Sequence, residues 1–111
     1  MAVPRLDGPH SLSAKSVERT ITRKSAGVYV LSGLEGGISN ARFVGRSDDD
    51  VGASLKGGIG LYSHFAFAYA SSPKSAYEME CEIYHSTKPP ENTKHPAKPA
   101  DTSWECPVCG Q

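Results

Sequence analysis

The sequence is short of several things, and each shortage excludes something. A bilayer span needs about 20 apolar residues, whereas the longest apolar run here, Phe65–Ala70, has the length of a strand. Met1–His10 is polar and lacks the apolar stretch of a secretory leader, so no leader is expected. There is no net charge: 12 basic residues balance 12 acidic ones, which argues against a protein that coats nucleic acid by overall basicity. Cysteine is scarce, at 3 residues, and two of these form a Cys-x-x-Cys pair. That pattern points to intracellular metal chemistry rather than a disulfide framework, and so to a cytoplasmic protein. No internal repeat is present.

What remains is a chain of 111 residues, 38% hydrophobic and 22% charged, which suits one globular domain with a thin core. A metal staple would help a domain of this size. The chain is read as an N-terminal arm and helix (1–24), a central domain (25–92) and an extended tail (93–111). The arm holds Arg5, Lys15, Arg19, Arg23 and Lys24 against Asp7 and Glu18. This is either a surface for phosphate or a solvated helix face.

Residues 1–10, with Pro4, Gly8 and Pro9, read as a loose lead-in. Leu12, Val17 and Ile21 share one helical face, so Ser11–Lys24 is expected to hold a short helix capped by Ser11 or Ser13. Gly27–Leu31 and Ala41–Gly45 read as two strands of a hairpin, joined by a turn over Gly33–Asn40. Ser47–Asp50 would cap a short helix, Asp49–Lys56, which Gly57-Gly58 ends. A third strand follows at His64–Tyr69. Ser72 and Pro73 open a long helix that runs to about Ser86, before Pro89 and Pro90. The class is α+β.

Gly27-Val28-Tyr29 and Phe43-Val44-Gly45 lie on successive strands. Arg46 follows the second tripeptide, and Ala76-x-x-x-Glu80 and then Pro89-x-x-Asn92 come later. In order, spacing and residue type this resembles the GIY-YIG nuclease family, with Val28 for isoleucine and Phe43 for the second tyrosine. The resemblance covers Ala26 to Asn92. It implies a small three-stranded antiparallel sheet flanked by helices, with an active site on one face. It also implies a divalent cation, Mg²⁺ or Mn²⁺, held by Glu80. Tyr29 would act as general base or orient the attacking water, and Arg46 would contact phosphate. DNA is the implied partner. Ser54 stands before Leu55, where the family commonly places its catalytic arginine, and Phe43 lacks a hydroxyl. These two departures favour an alternative, a catalytically impaired module of the same fold that binds nucleic acid or a protein partner.

Cys106-Pro107-Val108-Cys109-Gly110 is half of a zinc-knuckle signature. Cys81 and His85, four residues apart on the long helix, offer a second pair about a turn apart. Glu80 and Cys81 point about 100° from each other, so one helix could serve both sites. The expected ligand set is Cys81, His85, Cys106 and Cys109, with His95 competing with His85 for the fourth place. Four protein ligands would make the Zn²⁺ structural, pin the tail, and give Trp104 a place to pack. The pair follows an extended tail and not a strand-to-helix junction, unlike a thioredoxin-type motif.

Overall fold

A computed structural model describes residues 6–33, 41–92, 94–97 and 102–110. In chain order the elements are β1 (Asp7–Ser11), α1 (Ala14–Thr20), β2 (Gly27–Ser32), β3 (Ala41–Ser47), α2 (Val51–Lys56), β4 (His64–Tyr69) and α3 (Pro73–Thr87). The strands form one antiparallel sheet in the order β1-β4-β2-β3. Among the described residues it has four strands, not three. The extra one is β1, in the segment read as a loose lead-in. It pairs Asp7 with Phe67 and His10 with Phe65 on either side of an irregularity at Gly8-Pro9. A proline is tolerated there because β1 lies at the sheet edge. The turn expected over Gly33–Asn40 falls, beyond Gly33, outside the described residues, as does Arg5.

Paired residues of β2 and β3 share a face, and the two faces have different covers. Val28, Val30 and Val44 are buried with Ile83 of α3. Leu31, Phe65 and Phe67 are buried with Val17 of α1 and Leu55 of α2, and Tyr29, Phe43 and Tyr69 pack against them. Burying a side chain such as Ile83 or Leu55 is worth about 1.5–3 kcal/mol, so these two layers supply most of the fold's cohesion.

The helix ends follow local chemistry. Ser13, Asp50 and Ser72 cap α1, α2 and α3 by accepting from the backbone N–H three residues on. α1 is shorter than expected: Ile21 is extended, and the Thr22 N–H goes to the Tyr69 hydroxyl at 3.0 Å. α2 starts two residues later than expected, because the Ser47 hydroxyl accepts the N–H groups of Asp49 and Asp50 in a turn before the helix. α3 ends at Lys88, in the left-handed region at φ 45°, with Pro89 next.

Both tripeptide glycines sit where a side chain would collide. A Cβ on Gly27 would lie 2.7 Å from the Ala68 carbonyl oxygen and 3.1 Å from Val51 Cβ, so glycine lets α2 and β4 close on β2. A Cβ on Gly45 would lie 2.6 Å from the Tyr29 phenol, whose ring lies across that spot. β3 is the edge strand there, and Tyr29 reaches over it.

Candidate functional site

The Tyr29 ring forms one boundary of a cleft at the β3 edge, together with Phe43, Gly45, Arg46, Asp48 and Glu80. Arg46 lies on the sheet face covered by α3, from which Glu80 meets it. Arg46 Nη1 donates to Glu80 Oε1 at 2.7 Å and Nε donates to Asp48 Oδ1 at 3.1 Å. Arg46 also lies 5.2 Å from the centroid of the Tyr77 ring, one turn before Glu80 on α3. The structure therefore brings Tyr29, Arg46 and Glu80 to one cleft. Asp48 joins them in the cleft and buried Tyr77 lies against the Arg46 guanidinium, and sequence reasoning missed both. The signal for Tyr77 was its place three residues before Glu80 on one helix face.

The charges in the cleft are mutually constrained. Burial pushes the Glu80 carboxyl above its ordinary range, and Arg46 pulls it back without cancelling the rise. Glu80 gives one oxygen to Arg46, and its other oxygen takes no hydrogen bond among the described residues. Burial and the Glu80 charge both raise the Tyr29 phenol, so Tyr29 keeps its proton at neutral pH and is a donor there.

The turn after α3 closes the rest of the edge. The Asn92 side chain accepts the Val44 N–H at 2.8 Å and donates to the Val44 carbonyl at 2.9 Å. The Glu91 N–H bonds the Arg42 carbonyl at 3.0 Å, and its carboxylate takes Arg42 Nε at 2.7 Å and the Tyr62 hydroxyl. Asn92 thus replaces a fifth strand for one residue. His64 is outside the cleft, with its Nδ1 at 2.9 Å from the Gly33 carbonyl. Ser54 is half-buried in α2.

A second cluster lies beyond the C-terminal half of α3. His85, His95, Cys106 and Cys109 each offer a ligand atom, and these atoms lie within 4.8 Å of one another. Three of them match the expected set. The fourth corner is taken by His95, which does not displace His85 but stands where Cys81 was expected. Cys81 instead lies in an apolar cluster with Tyr77 and Cys106, where burial pushes its thiol up to about 12. Its sulfur is not among the four ligand atoms that lie within 4.8 Å of one another. The His95 ring fits into the corner beside His85 and Tyr84, with centroids 5.2 and 5.6 Å away.

The donors suit a metal. His85 Nε2 is buried and has no hydrogen-bond partner among the described residues, a costly state for a polar atom. His95 Nδ1 lies 3.0 Å from the Pro96 carbonyl, which directs its proton there and leaves Nε2 free to face Cys109 Sγ at 3.4 Å. Burial works to raise the Cys106 thiol, but the backbone N–H groups of Cys109 and Val108 and the His95 ring bring it down to about 6. The knuckle backbone thus stabilises a thiolate. Four such groups can hold a metal ion. Trp104 packs on Tyr77 beside this knuckle, with ring centroids 5.9 Å apart.

No helix among the described residues is long and apolar enough to cross a membrane. Comparison with protein-family models, curated proteins and solved structures finds no match, so the GIY-YIG resemblance stands on the residues that carry it.

Proposed function

We propose that this protein is a GIY-YIG-type, metal-dependent phosphodiesterase acting on DNA. One observation supports it above others: Tyr29, Arg46 and Glu80, from three separate elements, line a single open cleft. The donor set fits a hard cation, since one Glu80 oxygen takes no hydrogen bond among the described residues and Asp48 adds a second carboxylate. Glu80 would hold Mg²⁺ or Mn²⁺, which when bound would stabilise the negative charge of a phosphodiester under attack. Tyr29, holding its proton, orients water or a phosphate oxygen rather than acting as a free base. Arg46 turns part of its guanidinium from Asp48 to phosphate.

A second reading, a non-catalytic module that binds nucleic acid or a protein, is favoured by a specific observation. Arg46 already makes two ion pairs, and α2 carries Ser54 where the resemblance calls for arginine. Losing a transition-state cation costs on the order of several kcal/mol.

The finer reading of the second cluster is a structural zinc site of two histidines and two cysteines, closed to substrate. It fits a cytoplasmic protein, whose thiols stay reduced. Nicking of supercoiled and branched DNA in Mg²⁺ or Mn²⁺ tests the function, with wild type, Glu80→Gln and Ser54→Arg compared. Wild-type nicking lost in Glu80→Gln is the expected result. A silent wild type with an active Ser54→Arg would replace the first reading with the second.

A further inference from the structure

The two sites share α3, which gives Glu80 to the cleft and His85 to the cluster. They also share packing. The Arg46 guanidinium lies over Tyr77, Tyr77 packs on Trp104, and Trp104 stands two residues before Cys106. Cys106 is itself buried against Tyr77. From the other side, His95 is followed by buried Pro96 and then by Ala97, which lines the cleft. The two tail segments that meet at the cluster therefore connect to the cleft differently: Ala97 lines it, whereas Trp104 packs on Tyr77, whose ring lies under the Arg46 guanidinium.

We propose that Tyr77 and Trp104 are positioning residues, and that closure of the His85–His95–Cys106–Cys109 cluster by a metal holds Arg46 on Glu80 and Ala97 against the cleft. The inference rests on reading that cluster as a zinc site. A tyrosine face attracts a guanidinium within about 6 Å, so the tilt of Tyr77 sets where Arg46 is drawn. Trp104 restricts that tilt. Trp104 is in turn held by the knuckle, whose buried anchor is Cys106. Without the metal, the donors of His95, Cys106 and Cys109 no longer bind the two tail segments to α3. The cleft then loses its wall and the backing of its arginine.

Amide hydrogen exchange read by mass spectrometry on the full chain tests this, with zinc bound and after chelation. Segments 42–48 and 76–82 should lose protection on chelation, whereas 7–11 and 64–69, at the far side of the sheet, should not. Trp104→Ala should keep one zinc per chain yet lose protection at 42–48, and Trp104→Phe should restore it. If the protein binds zinc but 42–48 and 76–82 are unmoved by chelation, the inference fails and the zinc reading stands. Loss in all four segments also overturns it, since the metal would then support the fold as a whole. Wild-type exchange in Trp104→Ala would remove Trp104 from the chain of contacts. A protein that takes up no zinc at all would end the zinc reading, and the inference with it.

Discussion

The two polar centres on α3 are satisfied to opposite degrees. In the cleft, Arg46 is already bonded to Glu80 and Asp48, with side chains only 14% and 9% exposed in the Arg46–Glu80 pair. In the cluster, His85 Nε2 is buried without a hydrogen bond among the described residues, and the knuckle backbone helps bring the Cys106 thiol down to about 6. A buried polar atom without a partner, such as His85 Nε2, gains by taking a ligand, because its desolvation cost is already met. A satisfied pair must give up a bond before it can act. Under the proposed function the cluster is filled and stays filled, whereas the cleft exchanges one partner for another.

The largest expected effect breaks the comparison at the cluster. Cys106→Ser should abolish stoichiometric zinc binding, and the zinc-dependent rise in melting temperature should vanish with it. A ligand at a thousandfold excess over its Kd contributes about 4 kcal/mol, so the rise in wild type should be large and easily read. Persistent tight zinc in Cys106→Ser would remove the knuckle from the site.

Next comes the satisfied pair. Arg46→Met should destabilise the protein by about 3 kcal/mol at neutral pH, because it leaves Glu80 charged and nearly buried. The pH dependence follows from the direction of the Glu80 shift. A carboxyl raised in the folded state contributes stability that is present below its ordinary value of 4.5 and lost as pH rises through the folded value. Removing Arg46 removes the main opposing influence and raises Glu80 further. The deficit of Arg46→Met should therefore shrink as pH falls toward 4.5, which denaturant titrations at several pH values would read. A deficit that grows on acidification would contradict the pairing.

Two smaller effects sharpen the picture of the cleft. Gly45→Ala should cost about 2 kcal/mol, because its Cβ would lie 2.6 Å from the Tyr29 phenol and push the ring from the β3 edge. Tyr29 ring signals in NMR should shift, and an unmoved ring would refute the overlap. Asn92→Ala removes two bonds to Val44 and should cost about 1–2 kcal/mol in thermal unfolding.

Much of this was legible in the sequence, for physical reasons. His64–Tyr69 is an apolar stretch of strand length, with Phe65, Ala66 and Phe67 all buried, and Ser72-Pro73 is a helix start whose cap and first turn are both local chemistry. β1 was not legible, since Gly8 and Pro9 read as a turn and only pairing with β4 makes the segment a strand. The choice between Cys81 and His95 was hidden for a similar reason. Spacing on α3 puts Cys81 and His85 a turn apart, but the tail decides which donor reaches the knuckle, and its path depends on tertiary packing. Tyr29 was readable as a cleft residue through the tripeptide, whereas its raised phenol depends on burial that no local pattern shows.

The measurement that tests the central claim most directly is zinc content per chain in wild type, Cys81→Ala and His95→Ala, purified and equilibrated alike. One zinc in wild type, one in Cys81→Ala and a sharp loss in His95→Ala are expected. Zinc lost from Cys81→Ala and kept by His95→Ala would contradict the ligand set and the account of the tail built on it.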